Sequence, residues 1–272
     1  MPTESATTEE PILEIRNLHL EFHDHGRPEV AVEDLSLTLH RAEILGIVGE
    51  SGSGKSMTAL AIAGLLNRHA LDCGGEILFD GVDLLHCNRS VLRQYQGDEI
   101  SMIFQEPMTS LDPLQRIGMQ VEEALRIHHK ELSDVERKEA ALRAMSSAGL
   151  AEPEQVYGLY PHELSGGMRQ RVMIAAATVS NPQILIADEP TTALDVTTQA
   201  QIITLLRKIN AHNGTAIVFI SHDLSLVRQL CHRVIVMRRG AVVETGSSDE
   251  VFLNPQQAYT KALIDAIPKV VL

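Results

Sequence analysis

Several kinds of protein are excluded by what this 272-residue chain lacks. Cysteine is scarce: Cys73, Cys87 and Cys231 are odd in number, widely spaced and form no CxxC pair. That pattern reads as free cytosolic thiols. No apolar run approaches the ~18 residues that span a bilayer. Met1 to Pro11 is polar and acidic, without the basic and apolar regions of a signal peptide, so the expected location is the cytosol, with any membrane attachment through a partner. Positive charge is also short. The net charge of −13 argues against nucleic acid, because phosphate backbones are bound by basic surfaces. There is no internal repeat and no low-complexity segment. What remains is an ordinary soluble composition, 44% hydrophobic and 22% charged, in a chain long enough to bury a substantial core.

The dominant positive feature is Gly49-Glu50-Ser51-Gly52-Ser53-Gly54-Lys55-Ser56. It fits G-x-x-x-x-G-K-[ST], the phosphate-cradling P-loop. Ile44–Val48 before it reads as a buried strand and Met57–Leu66 after it as a helix. Strand, glycine loop and helix bring backbone N–H groups and a helix N-terminus onto one anion. Lys55 is placed to reach the β- and γ-phosphates and Ser56 to ligate Mg²⁺.

Elsewhere strands and helices alternate. Ile12–Ile15 and Leu18–Phe22 show period-2 patterning, His23–Pro28 reads as a turn, and Ala31–Leu39 as another strand. His23 and His25 are two histidines on a polar loop, too few ligands for a metal site. Gly74–Val82 runs as a strand into an Asp-Gly turn, a strong hairpin signal. The character turns helical from about Met108 to Pro161. Arg116–Lys130 is read as a helix there, and Ser133-Asp134-Val135-Glu136 is a capping box opening another that stops near Gly149, with His128 and His129 on the surface. Beyond lie Leu164-Ser165-Gly166-Gly167 and a helix, the strand Ile184–Ala187 ending in Asp188-Glu189, a helix from about Val196 to Ile209, the strand Ala216–Ile220 ending in Ser221-His222, and a closing helix and strand pair. Strands alternating with helices predict a largely parallel sheet, with the acidic and histidine motifs just past its carboxyl ends, where such sheets bind ligands. A carboxylate such as Glu189 beside a γ-phosphate can act as a general base. Ser165 and two glycines at a helix mouth make a second anion site. Two phosphate-binding ends do not easily serve one nucleotide, which implies a second chain.

The order of these motifs resembles that of the ATP-binding-cassette (ABC) ATPases, over about Ile12 to Leu263. The likeness rests on the P-loop at Gly49–Ser56, a Q-loop at Gln105, a signature at Leu164–Gln170, a Walker B strand at Ile184–Asp188 followed by Glu189, a D-loop at Ala193-Leu194-Asp195 and a switch histidine at His222. The resemblance implies an α/β P-loop NTPase core with a mostly parallel sheet, an antiparallel β subdomain and an inserted helical lobe. Its expected divisions are a disordered tail at 1–11 and one domain at 12–272, with core segments 12–107 and 162–272 and the lobe at 108–161. ATP is expected against Phe22, which stacks on adenine, residues Gly49 to Ser56, Gln105, Asp188, Glu189 and His222. The catalytic set is Glu189, His222, Gln105 and Lys55, and Mg²⁺ falls to Ser56, Gln105 and Asp188. Ser165, Gly166, Gly167 and Asp195 are expected to act on the nucleotide of a second ATPase subunit, in a homo- or heterodimer.

Phe104–Pro113 and Pro255–Leu263 are similar to the peptide and nickel import branch. That implies a motor subunit at the cytoplasmic face of the cell membrane, two transmembrane permeases and, indirectly, an extracytoplasmic substrate-binding protein. Gln257-Ala258 stands where the branch often has His-Pro, and no clustered C-terminal cysteines follow, which keeps nickel or metal-chelate import open beside peptide import. The alternative is an ABC ATPase that does not transport: a subunit of an enzyme complex, or a nucleic-acid or translation factor. The compact helical block, single cassette and acidic charge weigh against the last two.

Overall fold

The computed structural model describes residues 10–24, 27–67, 71–192 and 194–266. Most of the expected N-terminal tail, His25 of the polar turn and Ala193 of the D-loop lie outside the described residues. The strands in chain order are β1 (Leu13–Asp24), β2 (Arg27–Leu39), β3 (Ile44–Val48), β4 (Leu71–Phe79), β5 (Val82–Asp83), β6 (Ile100–Ile103), β7 (Ile184–Asp188), β8 (Ala216–Ile220), β9 (Arg233–Arg238) and β10 (Ala241–Ser247).

They form two sheets. An antiparallel sheet has the order β2-β1-β4-β5, and a six-stranded sheet has the order β10-β9-β3-β8-β7-β6. Within the larger sheet β9, β3, β8, β7 and β6 run parallel, and β10 closes the edge as an antiparallel hairpin partner of β9. The fold is thus the expected α/β arrangement with a separate antiparallel sheet. The two patterned runs at 12–15 and 18–22 belong to one strand, β1. Its register shifts between Ile15 and Leu18, where Asn17 takes a left-handed φ of 50°, so a bulge breaks the alternation without ending the strand. The Asp80-Gly81 turn is left-handed at both residues, as a two-residue hairpin requires.

β3, β7 and β8 are buried along their whole length, which explains their unbroken apolar sequences. Period-2 geometry then divides their side chains between two cores. Leu45, Ile47, Ile186, Val218 and Ile220 face the antiparallel sheet and the helix Lys55–Ile62, where they join Leu13, Ile15, Leu35 and Phe79. Ile44, Leu185, Ile217 and Phe219 face the opposite way, onto the remaining helices.

In the helical region Arg116–Lys130 is not one helix. It divides into Ile117–Val121 and Glu123–His128, and the joint, Glu122, is a buried carboxylate bonded to the Tyr157 hydroxyl and Arg126. Burial, and then that pairing, push the Tyr157 hydroxyl up to about 12. The capping box at Ser133 forms as read, with Glu136 reaching back to the Ser133 N–H, and the helix Asp134–Ser147 stops before Gly149. The helix Gly166–Thr178 packs on these helices and also on β6. His129 is not a free surface side chain. It is half-buried, with Nε2 2.8 Å from Asp98 Oδ1, on the loop before β6, and Nδ1 3.3 Å from Glu131.

Candidate active site

Because β9, β3, β8, β7 and β6 are parallel neighbours, their carboxyl ends lie along one edge of the sheet. The P-loop leaves β3, Ser221-His222 leave β8, Asp188-Glu189 leave β7, and Gln105 follows β6. β8 sits between β3 and β7, so residues far apart in sequence meet.

The P-loop feeds the helix Lys55–Ile62, whose N-cap, Gly54, offers no side-chain cap, and no acidic residue occupies its first turn. Its leading N–H groups are therefore left for an anion. Two glycines are required by what surrounds them. A Cβ at Gly49 would lie 2.2 Å from the Met237 carbonyl of β9, and one at Gly54, at a φ of 99°, 2.4 Å from the Ala31 carbonyl of β2. The loop is thus walled by β2 and by the β9–β10 turn, where the Gly240 N–H donates to the Ser53 carbonyl.

Lys55 is buried and turns back on the loop, its Nζ donating to the Gly49 and Glu50 carbonyls at 2.8 Å each. Burial holds its pKa below the usual lysine range, while the charges of Glu189 and Asp188 oppose that shift. The Ser56 hydroxyl donates to Asp188 Oδ1 at 3.3 Å. Asp188 is buried, and burial raises its pKa above the ordinary carboxylate range; the Glu189 charge adds to this, while Ser56 and Lys55 oppose it.

Glu189 gathers the rest. Its backbone is left-handed at φ 47°, a conformation that costs a non-glycine residue of order 1 kcal/mol. The Glu189 N–H donates to the Ile220 carbonyl, and the Thr192 N–H donates to the Glu189 carbonyl, which holds it there. The side chain then presents Oε2 to three donors: Gln105 Nε2 at 3.1 Å, His222 Nδ1 at 3.1 Å and the Thr192 hydroxyl at 2.8 Å. A carboxylate only accepts, so His222 Nδ1 carries the proton. Among the described residues, Oε1 has no hydrogen-bond donor. None of the sequence motifs includes Thr192; its one local signal is a hydroxyl three residues past the carboxylate, a spacing that a tight turn brings together.

The other expected residues lie apart. Phe22 is half-buried on β1, opposite Glu29 of β2 and Leu71 of β4, a short way along the sheet from the Ala31 that walls the P-loop. Ser165 caps the helix Gly166–Thr178 by accepting from the Met168 N–H at 3.3 Å, and it and Gly166 are exposed. Among the described residues no hydrogen bond joins Ser165, Gly166 or Gly167 to the P-loop. Asp195 is exposed but already engaged: it caps the helix Val196–Asn213, taking the N–H and hydroxyl of Thr198 at 2.9 and 2.8 Å, which hold its pKa below the usual aspartate range. Its role as a helix cap was not read from the sequence.

A protein-family model described as ABC transporter matches residues 32–192. The chain is 48% identical over 264 residues to the peptidoglycan transport ATP-binding protein YejF of Agrobacterium fabrum, covering 97% of this chain and 48% of that one. It thus spans about half the length of that relative. It is 47% identical over 262 residues to the dipeptide transport ATP-binding protein DppD of Lactococcus lactis, covering 96% of this chain and 75% of that one. Among solved structures, it superposes with a TM-score of 0.78, at 30% identity over 87% of this chain and 98% of the other, on a dimeric post-hydrolysis state of the ATP-binding cassette MJ0796 bound to ADP and Pi.

Proposed function

The chain belongs to the ABC transporter family, and from that premise we propose that it is the ATP-hydrolysing motor subunit of a membrane importer of peptides, working as a dimer of such domains. The observation that carries this reading is the convergence at one sheet edge of Lys55, the Ser56–Asp188 pair and a Glu189 carboxylate held by three donors. Peptide is favoured over nickel as cargo because relatives at this similarity are named for peptide and dipeptide transport.

Backbone N–H groups of the Gly49–Ser56 loop other than that of Glu50 cradle the phosphates of ATP, and Phe22 stacks on the adenine. Lys55 exchanges its two loop carbonyls for phosphate oxygens. The Ser56 hydroxyl, the Asp188 carboxylate and the Gln105 side-chain oxygen are hard oxygen donors that suit Mg²⁺. When bound, the ion neutralises charge on the phosphates. Glu189 Oε1 takes a proton from the water whose oxygen attacks the γ-phosphorus as the bond to ADP breaks. Gln105, Thr192 and His222 hold the other oxygen so that Oε1 faces the water. Ser165 to Gly167 close over the γ-phosphate of a partner subunit, with Asp195 beside them, and the partner's signature does the same here.

Between the six-stranded sheet and the helical lobe of residues 108–161 lies a groove of about 380 Å³, lined by Leu65, Met102, Phe104, Leu111, Ile127 and Met173. Leu65 and Ile127 are about half exposed there. It adjoins Gln105, and it is where a transmembrane permease docks, so that nucleotide state is felt by the membrane subunits. Among the described residues no helix is long and apolar enough to cross a membrane. In this proposal membrane attachment runs through the permeases, which receive cargo from an extracytoplasmic binding protein. The test is co-purification of the tagged chain from its native cells. Two integral membrane proteins and ATP turnover support the proposal; a soluble enzyme complex in their place refutes the transport assignment.

A further inference from the structure

The C-terminal helix Ala258–Asp265 reaches the P-loop from outside. The Glu50 N–H donates to the Tyr259 hydroxyl at 3.2 Å, across more than two hundred residues of sequence. Three features seat that hydroxyl. The Arg238 guanidinium lies 4.7 Å from the centre of the Tyr259 ring. The Glu244 carboxylate accepts from the N–H groups of Gln256 and Gln257 at 2.7 and 3.1 Å, tying down the start of the helix. Arg238 also follows Met237, whose carbonyl crowds Gly49, so the ring and the loop share one wall.

One peptide unit links Gly49 to Glu50, and it is held from both ends: its carbonyl accepts from Lys55 Nζ, and its N–H donates to Tyr259. A peptide that follows a glycine meets little steric resistance to rotation. While Lys55 lies on the loop, either contact suffices to orient it. When Lys55 moves to phosphate oxygens, the carbonyl end is released, and the tyrosine hydroxyl becomes its remaining side-chain restraint.

We propose that Tyr259 is a positioning residue of the nucleotide site, whose hydroxyl keeps the Gly49–Glu50 peptide in its cradle orientation once Lys55 has left it. This rests on the reading of Gly49–Ser56 as the ATP site. It gives the segment after β10 a part in nucleotide affinity that none of the P-loop, Walker B or switch motifs contains.

The test is Tyr259→Phe in the full chain, which keeps the ring and its contact with Arg238 and removes only the acceptor. ATP affinity, measured with a fluorescent ATP analogue and as KM for hydrolysis, falls about three- to tenfold, the worth of one net hydrogen bond. The rate at saturating ATP and the Tm of the nucleotide-free protein stay unchanged, because Lys55 still holds the peptide there. A lowered Tm with equal losses in all parameters marks a merely structural tyrosine and overturns the proposal; so does an unchanged KM, which means water replaces the hydroxyl. If Tyr259→Phe does not fold, Arg238→Gln, which leaves the hydroxyl but loosens its seat, decides the matter: a raised KM at constant rate supports the proposal and an unchanged KM refutes it. Wild-type protein that binds no ATP refutes instead the underlying assignment of the loop.

Discussion

Replacing Glu189 by glutamine separates catalysis from binding at this site. The side chain keeps its length, and its amide oxygen can still accept from Gln105, Thr192 and His222, which all converge on Oε2. What disappears is the free oxygen to which the proposal gives the proton of the attacking water. The geometry around the phosphates should barely move, because among the described residues the Glu189 side chain accepts from Gln105, Thr192 and His222 and from no P-loop donor. Two charge effects accompany the change and oppose each other. Lys55 loses one of the two carboxylates that favour its charged form, and Asp188 loses the neighbour that resists its ionisation. ATP affinity is therefore expected to change by less than about threefold, a net of well under 1.4 kcal/mol. General-base assistance is typically worth about 10²- to 10⁴-fold, so turnover falls by at least about a hundredfold. With ATP bound and not consumed, the two-chain closed state accumulates. Phosphate release gives the rate, a fluorescent ATP analogue the affinity, and light scattering with and without ATP the dimer. Turnover within about tenfold of wild type refutes Glu189 as the base, since loss of a general base costs more than that. Loss of binding refutes the separation of roles.

Thr192→Val removes a hydroxyl 2.8 Å from the Glu189 carboxylate. A hydrogen bond to a charged group contributes about 1.5–3 kcal/mol, so kcat is expected to fall about ten- to a hundredfold with KM for ATP unchanged; a normal kcat removes Thr192 from the site. Ser165→Arg places a long cation at the exposed helix mouth. It should abolish hydrolysis at the partner's P-loop and leave ATP binding at its own intact, and loss of that binding by the same chain disproves the two-chain site. His129→Gln tests the link from the helical lobe to the core. Asp98, and then Glu131, raise the His129 pKa above its ordinary value of 6.5. The folded state thus holds the proton more tightly than the unfolded one, and the pair's stabilisation is present below pH 6.5 and lost as pH rises through the folded-state pKa. The pair is part exposed, so the contribution is below about 1 kcal/mol. The variant should melt about 1–3 °C below wild type near pH 5.5 and level with it near pH 8.5. Equal differences at both pH values refute the link.

The reach of local sequence is clear from particular residues. The P-loop, the hairpin at Asp80-Gly81, the capping box at Ser133 and the buried strands β3, β7 and β8 are all set by neighbours within a few residues, through φ preferences, helix capping and apolar runs. These are legible as structure, and the glycine loop with Lys-Ser and the Asp-Glu pair after an apolar strand are legible as motifs. The joint at Glu122 that divides Arg116–Lys130 has no local mark, since it is a buried carboxylate paired with the distant Tyr157.

The parts themselves are therefore local: a P-loop motif, a serine-glycine helix mouth that the proposal reads as a second anion site, and the carboxylates at the end of an apolar strand. How they meet depends on contacts between distant segments. The placement of β8 between β3 and β7 brings His222 onto Glu189, and nothing near either residue specifies that neighbour. The need for glycine at positions 49 and 54 comes from the carbonyls of Met237 and Ala31, supplied by other strands. Asp195 is committed to its own helix, and Tyr259 to a loop at the far end of the chain. Strand order and side-chain approach across a sheet depend on crossovers and register between distant segments, and those are energies of packing that no local window of sequence contains.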